Sequence, residues 1–133
     1  MVMLPKNRCV RYVSAHASFT HCCRPVDLIT VTTNSPFTCL AKQGQILTVP
    51  IAHGEGCYYA DERTLDELEA EDRVIFRYAD NPNGSLRDIA GILSRERNVM
   101  GMMPHPERAS DPLMVSTDGL VVFQSMVSAM AVK

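Results

Sequence analysis

His105 and Glu107 are the residues whose types and spacing most directly suggest chemistry, in the stretch Met102-Met103-Pro104-His105-Pro106-Glu107-Arg108. On an extended segment, residues two apart project from the same side of the backbone. The carboxylate can then hold one imidazole nitrogen while the other faces a reacting group, the arrangement of a general base and its orienting acid. Prolines at 104 and 106 fix φ and remove two backbone donors, which predicts a rigid strand exit rather than a helix or an inner strand. Taken alone, a His-x-Glu is more often an incidental pair on a Pro-rich surface turn. Its surroundings have to decide between the two readings.

A second candidate lies upstream. The apolar run Gln45-Ile46-Leu47-Thr48-Val49-Pro50-Ile51 passes into Ala52-His53-Gly54-Glu55-Gly56. A strand ending in a glycine-flanked His and Glu offers backbone N–H groups beside two ionisable side chains, so His53, Gly54 and Glu55 are candidate substrate-binding residues. The same glycines also suit a plain solvated turn. Cys57, just after this loop, is the best candidate for an internal nucleophile, but Tyr58-Tyr59-Ala60 offers no helix N-terminus to activate it.

The elements that must position these residues are legible in parts. Arg8 to Val13 alternates basic and apolar residues as a half-buried strand does, and Val26 to Thr33 is β-branched and ends at the turn signal Asn34-Ser35-Pro36. Residues from Ser14 to Pro25 have no clear period and read as loop. Asp61 to Glu69 reads as a short helix, with either Asp61 or a Thr64/Glu67 capping box at its start. Val74 to Tyr78 is a strand followed by the dense turn Asn81-Pro82-Asn83-Gly84-Ser85. Ile89 to Leu93 and Val99 to Met103 form a hairpin whose second strand delivers His105. After a loop from Arg108 to Thr117, Thr117 or Asp118 caps a closing helix with Leu120, Phe123, Met126, Val127 and Met130 at helical spacing, an apolar face expected to be packed.

Composition bounds the possibilities. A chain of 133 residues with 46% hydrophobic and 21% charged residues is that of a globular domain. Thirteen basic and fifteen acidic residues, net charge -2, give no electrostatic case for nucleic acid or an anionic membrane. No apolar run approaches a membrane span and the first residues do not form a signal peptide, so a cytoplasmic location is expected. The five cysteines show no paired spacing, which argues for reduced thiols. His21-Cys22-Cys23 has no second ligand pair at metal-site spacing, so no metal is expected.

Five ordered motifs carry a family resemblance: Pro50 to Gly56, Phe76-Arg77-Tyr78, Asn81 to Ser85, Ile89-Ala90-Gly91-Ile92 and Met103 to Arg108. Together they closely resemble the C-terminal half of the class I, triad-type glutamine amidotransferases that serve phosphoribosylformylglycinamidine synthase in purine biosynthesis. The resemblance runs from about Ser35 to Val127, weaker at Leu4-Pro5 and Asn7-Arg8, so residues 1–133 are taken as one partial domain, poorly matched over 1–34 and well matched over 35–133. It implies an α/β fold, the C-terminal half of a flavodoxin-like amidotransferase domain with an incomplete parallel sheet. Removing core strands from such a sheet would leave an apolar edge and face exposed.

The resemblance also implies a chemistry. A cysteine thiolate attacks the side-chain amide of glutamine, assisted by a histidine matching His105 and a carboxylate matching Glu107. Ammonia passes to a large synthetase subunit, which binds the ATP and Mg, so this chain carries no cofactor of its own; a small accessory subunit is a further candidate partner. His53, Gly54 and Glu55 would line the glutamine pocket or the partner face. The family's nucleophile sits in a glycine-flanked strand-to-helix turn, and no such segment occurs here. The chain alone is therefore expected to be inactive, either as part of a glutaminase or as a non-catalytic half-domain that docks on the synthetase.

Overall fold

The computed structural model describes residues 22–53 and 57–131. The strand expected over Arg8 to Val13 lies outside them, as do Gly54, Glu55 and most of the segment from Ser14 to Pro25. The described chain runs β1 (Cys22–Thr30), β2 (Ile46–His53), α1 (Glu62–Ala70), β3 (Val74–Tyr78), β4 (Ile89–Leu93), β5 (Met100–Met102) and α2 (Leu120–Ala131). The strands form one sheet in the order β2-β1-β3-β4-β5. Every neighbouring pair is antiparallel. The fold is α/β as expected, but the parallel ladders anticipated from the sequence are not present among the described residues.

The sheet curls. Beyond β5, Met103 N–H still donates to the Ala90 carbonyl of β4 at 3.1 Å, and two residues on, His105 N–H donates to the Pro50 carbonyl of β2 at 2.9 Å. The chain leaving one edge strand thus bonds to the opposite edge strand, which requires a half-barrel. The outer edge of β2 is covered further along by Ser116 and Asp118: Thr48 N–H donates to the Asp118 carboxylate at 2.8 Å and the Thr48 carbonyl accepts from Ser116 Oγ at 2.5 Å. An edge satisfied in this way no longer offers its backbone groups to another chain.

Several local expectations change. Cys22 to Pro25 belong to β1 rather than to a loop, in register with His53 to Pro50 of β2. Pro25 is tolerated because β3 pairs with β1 only from Leu28 onward, so the missing N–H breaks no second ladder. Asp61 is the N-cap of α1, its carboxylate accepting from Thr64 N–H at 2.7 Å, and Leu65 and Leu68 are the buried face. They pack with Tyr58, Val74, Ile89 and Ile92. A second cluster joins Leu28, Leu47, Val49 and Ile51 to Phe76, Leu93, Ala109 and Val122.

The closing helix is present but turned from its expected orientation. Val122 and Ser125 are buried, while Phe123, Val127 and Met130 are exposed. The predicted packed stripe is therefore mostly outside. Ser125 faces inward because its Oγ accepts the Leu40 N–H at 3.1 Å and its carbonyl accepts from Cys39 Sγ at 3.4 Å. Asp118 does not cap α2 through its side chain, which is committed to Thr48. No helix among the described residues is long and apolar enough to cross a membrane.

Candidate functional site

The His105 site is built by the end of β5, the start of α2 and the edge of β2. Pro104 is buried and His105 sits at the entrance of a 3-10 turn, Pro106–Ala109, with φ -106° and ψ 90°. Pro106 at the first helical position fits because its missing N–H would have had no intrahelical partner. The segment is thus not the extended strand exit expected from its prolines. Glu107 still reaches the histidine, but by the tight turn rather than by strand alternation: His105 Nδ1 and Glu107 Oε1 are 2.7 Å apart. Arg108 N–H donates to the His105 carbonyl at 3.1 Å and closes the turn.

Close packing sets the height of this turn. Gly119 N–H donates to the Ala109 carbonyl at 2.8 Å. A Cβ at residue 119 would stand 2.1 Å from the Pro106 carbonyl oxygen and 2.8 Å from that of Ala109. Only glycine allows the entry of α2 to lie against the His105 turn. Ala109, fully buried, plugs the same region into the core. The side chains that could do chemistry remain accessible, His105 at 34% and Glu107 at 56% exposure. Arg108 Nε lies 4.0 Å from the same Glu107 oxygen.

Of the other candidates, His53 ends β2, opposite Cys22 and three residues beyond the Pro50 carbonyl that holds His105. The backbone therefore brings the start of the His53 to Gly56 loop to the strand end that carries the His105 turn. Gly54 and Glu55 lie outside the described residues. The loop's far end is anchored: Tyr58 N–H donates to Ser85 Oγ at 3.0 Å, and Tyr58 carbonyl accepts from Leu86 N–H at 2.9 Å. Ser85 is itself held by Asn83 Oδ1, and Asn81 Oδ1 accepts from Gly84 N–H at 2.8 Å. The Asn81 to Ser85 motif is thus a brace for the segment containing Cys57, which is half-buried. The His21-Cys22-Cys23 segment lies at or beyond the limit of the described residues.

Sequence reasoning missed Gly119, the Pro50 carbonyl and the Ser116 and Asp118 contacts to Thr48. Each acts through a partner 10 to 70 residues away in the chain, and no local period or motif announces such a contact.

Residues 6–119 match the model of the CobB/CobQ-like glutamine amidotransferase domain. The chain belongs to that family. Among similar proteins are phosphoribosylformylglycinamidine synthase subunits PurQ, from Acaryochloris marina at 50% identity over 117 residues and from Trichormus variabilis at 56% over 106. These alignments cover 81% and 79% of this chain, and 50% and 47% of the relatives. The chain spans about half the length of the curated relatives it matches. The structure of PurLQS from Thermotoga maritima superposes with a TM-score of 0.71 at 40% identity, over 81% of this chain and 47% of that one. These matches bear out the resemblance carried by the five motifs and the partial amidotransferase fold.

Proposed function

We propose that this chain supplies the histidine and carboxylate of a glutamine-hydrolysing site whose cysteine lies in the half of the relatives' length that the sequence does not span. The 2.7 Å contact between His105 Nδ1 and Glu107 Oε1 is the observation that carries the reading. A carboxylate on Nδ1 holds the proton there and leaves Nε2 as the base. Nε2 takes the thiol proton as sulfur adds to the amide carbon of glutamine, then returns it to the departing ammonia. Water next cleaves the thioester to give glutamate, and Glu107 stabilises the imidazolium formed in both halves of the cycle.

The relatives' names, subunits of phosphoribosylformylglycinamidine synthase, support a synthetase subunit as the destination of the ammonia. We further propose, on the family resemblance alone, that ATP and Mg belong to that subunit and that a small accessory subunit joins the assembly. The reaction belongs in the cytoplasm with the rest of purine synthesis. His53, Gly54 and Glu55 contribute to the glutamine pocket, a role supported by the bond between His105 and the strand that ends at His53.

The test supplies the complementary half from a relative and measures ammonia release from glutamine. Activity is expected to return, and His105→Ala to lower it by about 10²- to 10⁴-fold. Full activity in His105→Ala would sink the proposal, as would labelling of Cys57 by a glutamine-analogue electrophile in the unsupplemented chain. If no activity returns, the docking half-domain becomes the better reading.

A further inference from the structure

Along an antiparallel strand, alternate residues turn both backbone groups to the same edge, so Thr48 and Pro50 face the outer edge of β2 together. Pro50 has no N–H, which leaves three groups there: the Thr48 N–H, the Thr48 carbonyl and the Pro50 carbonyl. The segment that carries the His105 turn takes all three. The Pro50 carbonyl accepts from His105 N–H at 2.9 Å, the Thr48 carbonyl accepts from Ser116 Oγ at 2.5 Å, and the Thr48 N–H donates to Asp118 Oδ2 at 2.8 Å. Asp118 N–H also donates to Ser116 Oγ at 3.3 Å, which joins the two contacts on Thr48 into one clamp. Asp118 stands where the sequence predicts a helix cap, yet its carboxylate reaches across 70 residues of sequence to the strand. Gly119 follows it directly. Its N–H donates to the Ala109 carbonyl at 2.8 Å, and its Cα lies too near the Pro106 carbonyl for any side chain. Whatever holds Asp118 to β2 therefore holds Gly119 against the turn that carries His105 and Glu107.

We infer that Asp118 is a positioning residue for His105, a step that rests on the glutaminase reading above. The turn is tied to β2 at its entry by the His105 N–H, and at its exit through Gly119 and Asp118. One hydrogen bond at the entry would let the turn pivot about it. The second tether, two residues along the same strand edge, removes that freedom. A turn that pivots carries the imidazole and Glu107 together, so Nε2 leaves the line between thiol and amide even while the contact to Glu107 persists. A misplacement of about 1 Å can cost about 10²-fold in rate. Asp118 acts on this geometry through the backbone of its neighbours. Its partner is a neutral N–H, so what the side chain must supply is an acceptor oxygen rather than a charge, which makes asparagine the conservative replacement.

The experiment uses the full chain assembled with the cysteine-bearing half of a relative. Asp118→Ala is expected to lower kcat for glutamine hydrolysis about 10- to 100-fold and to leave KM within about twofold, because the lost contact orients the base rather than binding substrate. Asp118→Asn should keep kcat within about threefold of the parent, since its side-chain oxygen still accepts from Thr48 N–H. Thr48→Pro removes the donor instead, at an edge position that tolerates proline, and should lower kcat as Asp118→Ala does; in the double variant the two losses should not add. The imidazole nitrogen shifts of His105, read by NMR on the same assembly, report the ring without turnover: the parent and Asp118→Asn should share one set, and Asp118→Ala should depart from it. Parent-like kcat and shifts in Asp118→Ala overturn the inference. So do a rise in KM with kcat unchanged, an asparagine variant as slow as the alanine one, or additive losses in the double variant. If Asp118→Ala fails to fold, Thr48→Pro and Asp118→Asn decide by the same criteria. A parent assembly that releases no ammonia removes the glutaminase reading instead, while the His105 shifts of the variants still decide whether Asp118 places the ring.

Discussion

At the His105 end, position comes from the backbone. The His105 turn hangs from the Pro50 carbonyl, rests against Gly119 and closes on its own carbonyls, while the imidazole and carboxylate stay accessible. At the α1 end, position comes from side-chain charge. Arg87 bridges Glu62, Asp66 and Glu69 at 2.8, 2.7 and 3.3 Å, and Arg77 bonds Glu69 at 3.0 Å and also the Arg87 carbonyl. Arg97 bonds the Asn34, Glu71 and Asp72 carbonyls. Arg87, Arg97 and Asp72 hold φ of 52°, 57° and 51°, left-handed conformations that persist where surrounding bonds over-determine them. The richest charge cluster among the described residues is therefore structural, its groups bonded to one another, whereas the sparse pair at residues 105 and 107 keeps both side chains accessible.

The largest test of that contrast is Gly119→Ala. Its Cβ would collide with two backbone oxygens that cannot swing away, so the turn must move off α2. We expect a loss of about 1–3 kcal/mol, typical of overpacking, read by urea unfolding, together with a fall in ammonia release in the complemented enzyme. Unchanged stability and activity would show that the turn is not set by this contact.

Next comes helix orientation. Ser125→Val leaves the Leu40 N–H without its acceptor and should cost about 1–3 kcal/mol, whereas Val127→Lys, on the exposed face, should stay within about 0.5 kcal/mol. The reverse ranking would restore the face expected from periodicity.

The smallest effect is expected at the charged end. The Arg77 hydrogen bond, aided by Arg87, holds the Glu69 carboxyl below its ordinary value of 4.5. Arg73, aided by Arg95, does the same for Glu71. A carboxyl depressed in the folded state contributes its full stability above 4.5 and loses it as pH falls through the lowered value. Stability should therefore decline in acid below about pH 4.5, and Arg87→Gln should flatten that limb while leaving the His105 site unaltered. An acid limb identical in the variant would remove Arg87 from the account.

Much of the fold was readable locally. Val74–Tyr78 and Ile89–Leu93 have the bounds their apolar runs predict, and Asp61 caps α1 as its spacing allowed. Other features were hidden because long-range partners overrode local pattern. Cys22 to Pro25 lack a period yet become strand by pairing with β2, and α2 turns a serine inward because Leu40 needs an acceptor.

The sequence by itself determined the chemistry on offer and the family: a His-x-Glu pair in five ordered motifs, since residue types and their order are properties of the chain. Only the tertiary structure decided how that pair meets and what holds it. The 3-10 turn, the Pro50 carbonyl and the space that Gly119 leaves open depend on segments distant in sequence but in contact once the sheet curls, and such contacts leave no local period to read.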